Sequence, residues 1–200
     1  MTIKSNRLGG RIGKQLGTRK VQLWAVISVL LIAGFFVVAW KYFDVNNAKN
    51  TSNNYDQAFQ DLFNKNYDEV IQNLTDVEKL PESQKEQAYT ALGQAYFAKA
   101  NYDKALENYQ KAENLAAGDK KKSYYNNLMG NCLRENKDKD GAVAKYTLSV
   151  QLDPKNELAW VNLINLYKLD GDIANAKTAV KDALVAMPGN ETIKAIEQTL

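Results

Sequence analysis

The stretch Glu86–Leu115, EQAYTALGQAYFAKANYDKALENYQKAENL, decides the fold. Its large and small apolar residues, Tyr89, Leu92, Gly93 and Tyr96, recur at three- and four-residue intervals, the period of a helix with one buried face. After Asn101-Tyr102 the same period resumes with Ala105, Tyr109 and Ala112. An asparagine beside a break in period is a turn and a helix start, so the stretch reads as two short helices folded back on each other. Gly93, Ala105 and Ala112 leave room for the helices to approach, and the aromatic rings fill what remains.

Working outward, the pattern returns. SYYNNLMGNCLRENKDKDGAVAKYTLSVQLDP starts at Ser123 and ELAWVNLINLYKLDGDIANAKTAVKDALVAMP at Glu157. The second and third copies are 34 residues apart and the first and second 37, the extra three falling at Lys120-Lys121-Lys122. The second copy supplies Met129, Gly130, Leu133, Ala142, Tyr146, Ser149 and Pro154, with Asn126 in place of the large aromatic. The third supplies Trp160, Leu163, Tyr167, Ala176, Val180, Ala183 and Pro188. There Ile164 stands where the others have glycine, which should widen that helix contact. A weaker copy precedes them, with Tyr55, Phe59, Leu62, Tyr67, Val70, Leu74 and Val77 in corresponding places if one residue is deleted at its turn. Beyond Pro188, Asn190 can cap a last helix, ETIKAIEQTL. One hairpin cannot bury such a face but a stack can, so stability should be a sum of repeat and interface terms. Loss of a core anchor such as Tyr96 or Tyr167 should cost roughly 3 to 5 kcal/mol. Cys132 aligns with Ala95 and reads as a small buried hydrophobe.

On these residues the sequence resembles the tetratricopeptide repeat family, over about 135 of its 200 residues. The resemblance implies an all-α fold: a right-handed solenoid of about four helical hairpins (55–83, 86–119, 123–156 and 157–190) with a capping helix over 190–200. It also implies that the first helix of each hairpin lines a concave groove that binds proteins or extended peptides. The groove positions carried over are Gln87, Thr90, Gln94 and Phe97, then Tyr124, Asn127, Asn131 and Arg134, then Leu158, Val161, Asn165 and Lys168. Gln94, Asn131 and Asn165 form a row of amides able to bond the backbone of an extended peptide, and Arg134 and Lys168 add cations that could meet a carboxylate. The same row is also what a helix face turned to water carries. The carboxylate clamp of chaperone-binding relatives is not reproduced, because Thr90 and Leu158 stand where it would want lysine.

Before the repeats, VQLWAVISVLLIAGFFVVAW (Val21–Trp40) holds twenty residues without a charge. Twenty residues of helix span about 30 Å, the thickness of the bilayer core. Trp24, Trp40 and Tyr42 stand at its ends and Lys20 and Lys41 close it, so 21–43 reads as a transmembrane helix. A cleaved signal peptide is the rival reading, against the length of the stretch and the bulk of Trp40. The leader, 1–20, carries Lys4, Arg7, Arg11, Lys14, Arg19 and Lys20 and no acid, which places the N-terminus in the cytoplasm and the repeats, 55–200, outside it. Residues 44–54, rich in asparagine, read as a linker or stalk.

Composition closes several doors. The chain has no histidine and one cysteine, which removes histidine-dependent catalysis, histidine-ligated metals, internal disulfides and cysteine clusters. With the leader set aside, the formal +3 becomes a mildly acidic body, unsuited to a nucleic-acid groove. Neither the acidic turn residues nor Gly13-Lys14 complete a calcium or phosphate loop. The expectation is a non-enzymatic, membrane-anchored adaptor of a bacterial-type envelope, with no cofactor, metal or small-molecule substrate. Its partner would be a protein or extended peptide of an assembly or secretion complex. A translocon-associated, holdase-like chaperone and a cytosol-facing import receptor are the alternatives.

Overall fold

The computed structural model describes residues 33–44, 50 and 52–200. The expected leader, the first part of the expected span (21–32), and residues 45–49 and 51 of the expected linker lie outside the described residues. The chain divides into two compact units, 1–50 and 51–200.

In the first unit, 33–44 is helical with every residue exposed. Phe35, Phe36, Val37, Val38, Trp40, Tyr42 and Phe43 each show 63–74% of their surface. Among the described residues no helix is long and apolar enough to cross a membrane.

In the second unit every described element is helical. Helices α1 (52–63) and α2 (Tyr67–Asn73) form one hairpin, followed by a short 3₁₀ turn, Val77–Lys79. Three longer hairpins follow: α3 (Glu82–Ala98) with α4 (Tyr102–Leu115), α5 (Asp119–Glu135) with α6 (Lys139–Leu152), and α7 (Glu157–Leu169) with α8 (Ile173–Ala186). The single helix α9 (Glu191–Glu197) ends the array. Helix α1 is formed by residue 52, inside the stretch read as linker. Asn53 and Asn54 lie on its exposed side, the polar outer face a terminal repeat needs.

One turn is used four times. Lys65, Ala100, Lys137 and Gly171 take left-handed conformations with φ of 62°, 56°, 64° and 76°. The N–H of the next residue then reaches back to the preceding helix, from Asn66, Asn101, Asp138 and Asp172 to the carbonyls of Asp61, Tyr96, Leu133 and Tyr167 at 2.8–2.9 Å. This satisfies a carbonyl the helix end leaves open. That next residue is also the N-cap of the second helix. Asn101, Asp138 and Asp172 accept from the backbone N–H of Lys104, Gly141 and Asn175. Counted from this turn, the first hairpin aligns with the others without the expected deletion. Ala58, not Phe59, takes the place of Gly93, and Leu74 that of Tyr109.

The closest helix contacts are made by glycine against tyrosine. A Cβ on Gly93 or Gly130 would come within 2.5 Å of the ring of Tyr109 or Tyr146. Those rings are 2% and 0% exposed. They are the buried aromatic anchors; Tyr96 and Tyr167, expected in that role, are only half-buried, and Tyr96 lies under the ammonium of Lys104. In the last hairpin the equivalent pair is Ile164 and Val180, both buried, and α7 and α8 approach less intimately than α3–α4 or α5–α6. Bulk has moved from the second helix to the first, and the contact has widened.

The core falls into two clusters. One runs from α1 through the inward residues of α5, ending at Met129 and Cys132; the other starts at Ala142 on α6 and ends at Ile193 on α9. Between them lies a polar seam. The hydroxyls of Ser123 and Ser149 are 3.0 Å apart, each bonds the other's backbone carbonyl, and Asn156 donates to both. Cys132 is wholly buried and its thiol is pushed up to about 12 by that burial, so it is inert.

Candidate functional site

The first helices of the hairpins lie side by side and are laced together by their own side chains. Tyr55 donates to Gln87 at 2.7 Å, linking α1 to α3. Glu86 and Thr90 on α3 meet Lys121 and Tyr125 on α5. Asn162 on α7 donates to Asn127 and Asn131 on α5 at 2.8 and 3.2 Å, and Asn190 beside α9 donates to Glu157 on α7 at 2.7 Å. Each bond joins neighbouring repeats, so α1, α3, α5, α7 and α9 form one continuous layer.

Residues at the same distance before each turn fall in rows across this layer. One row is Phe59, Gln94, Asn131 and Asn165; the next, nearer the turns, is Leu62, Phe97, Arg134 and Lys168. Farther from the turns come Tyr55, Thr90, Asn127 and Val161, and then Gln87, Tyr124 and Leu158. All the residues carried over from the resemblance therefore share one face.

Their bonding states differ. Asn127 is 5% exposed and accepts from Asn162, and the carbonyl of Asn131 accepts from both Asn162 and the Tyr146 hydroxyl. These two amides brace the array. Gln94 is half-buried and Asn165 exposed, and neither amide is bonded among the described residues. Arg134 forks onto Glu135 at 2.9 and 3.1 Å, and Lys168 donates to Thr199 at 2.7 Å. Tyr124 and Leu158 present 42% and 67% of their surface, while Phe97 packs edge-on against Tyr102 with ring centroids 5.3 Å apart. The first hairpin adds three residues to these rows: Tyr55, Phe59, whose ring is tilted against Tyr55 at 4.9 Å, and Leu62. Their signal was in the sequence, at the same distance from an asparagine turn as Thr90, Gln94 and Phe97, but hidden by the one-residue shift of that repeat.

Burial controls the ionisation of the phenols near this layer. It pushes Tyr125 and Tyr146 each up to about 12. Tyr89, which donates to Glu78, is raised to about 12 by burial and then by that bond. None is poised to exchange a proton near neutrality, and among the described residues no cluster of acids or cysteine is arranged to hold a metal ion. What the layer offers is amide hydrogen bonds, apolar surface and fixed cations.

Hairpins of this length, stacked through a repeated turn with a glycine-aromatic contact, define a tetratricopeptide-type solenoid, and the family model of the tetratricopeptide repeat matches residues 86–119. Among solved structures the chain is similar to the MamA protein, at 16% identity and a TM-score of 0.57 over 72% of this chain and 77% of that one. It is also similar to a chain of the APC/C hetero-tetramer Cut9-Hcn1, at 15% identity and 0.56, over 74% of this chain and 29% of that one. Against the tetratricopeptide domain of Arabidopsis OM64 the values are 21% and 0.48, over 60% of this chain and 96% of that one. At these identities the likeness is one of fold. No curated protein matches the sequence.

Proposed function

We propose that this chain is a membrane-anchored adaptor whose layer of first helices holds an extended segment of another protein. The observation that carries the proposal is the division of labour in that layer. Asn127, Asn131, Asn162, Tyr55 and Thr90 lock the helices together, while Gln94, Asn165, Tyr124 and Leu158 stand ready on the resulting rigid surface. A surface fixed before binding loses little freedom on capture, and side-chain amides suit the repeating backbone of an extended chain.

Anchoring rests on residues 21–43. The uncharged run, 21–40, is long enough to span, and its second part, 33–40, is helical with exposed apolar side chains, which suits lipid rather than water. Six cations before it and few after it favour a cytoplasmic leader and repeats in an extracytoplasmic, envelope-type compartment. Confinement beside a membrane complex raises effective concentration, so a weak groove contact suffices. Assembly or secretion complexes are the partners this layout fits. The exposed Leu158 and Tyr124 favour a second reading, a holdase for unfolded exported chains.

Photo-crosslinkers at Gln94 and Asn165 separate the two. One defined adduct supports the adaptor, a spread of unrelated nascent chains supports the holdase, and no protein adduct overturns both. Topology is read with Lys155→Cys, an exposed turn position, and an impermeant maleimide, with buried Cys132 silent. Labelling only after the membrane is opened would move the repeats to the cytosol and leave the import-receptor reading.

A further inference from the structure

In the second and third hairpins a lysine of the second helix covers the first-helix side chain that stands eleven residues before the left-handed turn residue. In α3 that side chain is Tyr89. The Lys111 ammonium lies over its ring, 5.4 Å from the centroid, and pairs with Glu107 at 2.7 Å. In α5 it is Asn126, which accepts from Lys145 at 3.3 Å. The fourth hairpin breaks this pattern. Its residue is Trp160, whose ring type attracts a cation most strongly, yet the places of Lys145 and Lys111 on α8 are taken by Ala179 and Asp182. A groove of about 280 Å³ runs there among α6, α7 and α8. Trp160, Leu163 and Tyr167 line it from α7, Val150 from α6, and Ala179 and Asp182 from α8; the rest of its lining is neutral and polar.

Asp182 is the one charge on that lining, and among the described residues it forms no ion pair. The cations of the three helices are engaged or lie elsewhere. Lys139 is held by Asp170, Lys145 by Asn126 and Lys168 by Thr199, while Lys177 and Lys181 of α8 do not line the groove. Ring and carboxylate are thus both present without the lysine that joins them in the second hairpin. We infer that this groove is a second binding site, which takes a lysine side chain of a partner protein. The methylene stem lies along Val150, Leu163 and Ala179, and the ammonium meets the rings of Trp160 and Tyr167 and the carboxylate of Asp182. An ion pair in water contributes little by itself, so the aromatic wall is what sets Asp182 apart from the other exposed acids. None of the lining residues belongs to the rows of the first-helix layer, so this site stands apart from that one.

The test uses the purified full-length chain in detergent micelles and a short glycine-serine peptide with one central lysine, beside a twin carrying acetyl-lysine. Saturation-transfer NMR, suited to weak binding, is read on the lysine methylene protons. The lysine peptide should receive about threefold more saturation than its twin. Ala179→Lys, which supplies the side chain from within as Lys145 does in the third hairpin, should abolish the difference while keeping the acid. Asp182→Asn should abolish it too, Asp182→Glu should preserve it, and Glu69→Gln, an exposed acid on the first hairpin, should leave it unchanged. Unchanged thermal melting establishes that Ala179→Lys is folded; Asp182→Lys, at an exposed position, makes the same test without touching a buried residue. Equal saturation of the two peptides, saturation of neither, or a difference that survives Asp182→Asn or either lysine substitution overturns the inference.

Discussion

Gly93 and Gly130 are the two positions where a single methyl group would do the most harm. Each would drive a Cβ to 2.5 Å from a tyrosine ring that is boxed in by the core. Gly93→Ala should therefore destabilise the array by about 1–3 kcal/mol, measured by urea unfolding. Combining it with Tyr109→Val should recover part of the loss, since the last hairpin already pairs Ile164 with Val180. At the turns the sign is opposite: Ala100 is held at φ 56° without glycine's freedom, so Ala100→Gly should stabilise by about 0.5 kcal/mol, whereas Gly171→Ala should cost about 1 kcal/mol. The small residues were legible in the sequence because packing repeats with the helix. Periodicity alone cannot say which of two aromatics lies deeper: Tyr96 and Tyr167 pack against the core half-buried, while Tyr109 and Tyr146 are fully enclosed.

Among the elements, α9 is the shortest helix of the array's end and depends most on its cap. Asn190 accepts from the Ile193 N–H at 2.9 Å and donates to Glu157 at 2.7 Å, tying α9 to α7. Asn190→Ala should cost about 1 kcal/mol, seen as lost amide protection confined to 191–197. Bonds from Thr192 and Asn190 hold the Glu157 carboxyl below its ordinary 4.5. A lowered folded value means the bonds contribute fully above about 4.5 and are lost as pH falls through the depressed value. The protection factors of the α9 amides should fall on acidification through that window, and the fall should be blunted in Glu157→Gln. The helices themselves were readable from period and turn residues. The use of Asn127 and Asn131 was not, because an amide that grips a ligand and one that grips the next helix have the same sequence spacing, and only the arrival of Asn162 between them decides.

Over the whole array, the seam of Ser123, Ser149 and Asn156 separates two apolar clusters. Other hairpins place Val77, Ala112 or Ala183 where Ser149 stands. Stacked repeats are coupled through their interfaces, and a polar interface couples less than an apolar one. The contact of Gly130 with the Tyr146 ring nevertheless clasps α5 to α6 across that seam, so native-state hydrogen exchange should show the two clusters opening together. Alkali should unfold both: Tyr89, Tyr125 and Tyr146 are raised to about 12 from 10.0, so the stability they contribute below pH 10 is lost as pH climbs toward 12. Tyrosinate absorbance and helicity should change together. The repeat architecture could be read from three copies, but the divided core could not, since serine at one buried position looks like ordinary drift until its partner across the helix pair is known. The glycine-tyrosine contact also dictates the order in which repeat copies can diverge. Shrinking the ring first leaves only a void that the helices can partly close; enlarging the glycine first forces atoms into the same space. A lineage passing from the Gly130–Tyr146 arrangement to that of Ile164–Val180 has a passable route in one direction of mutation and a blocked one in the other.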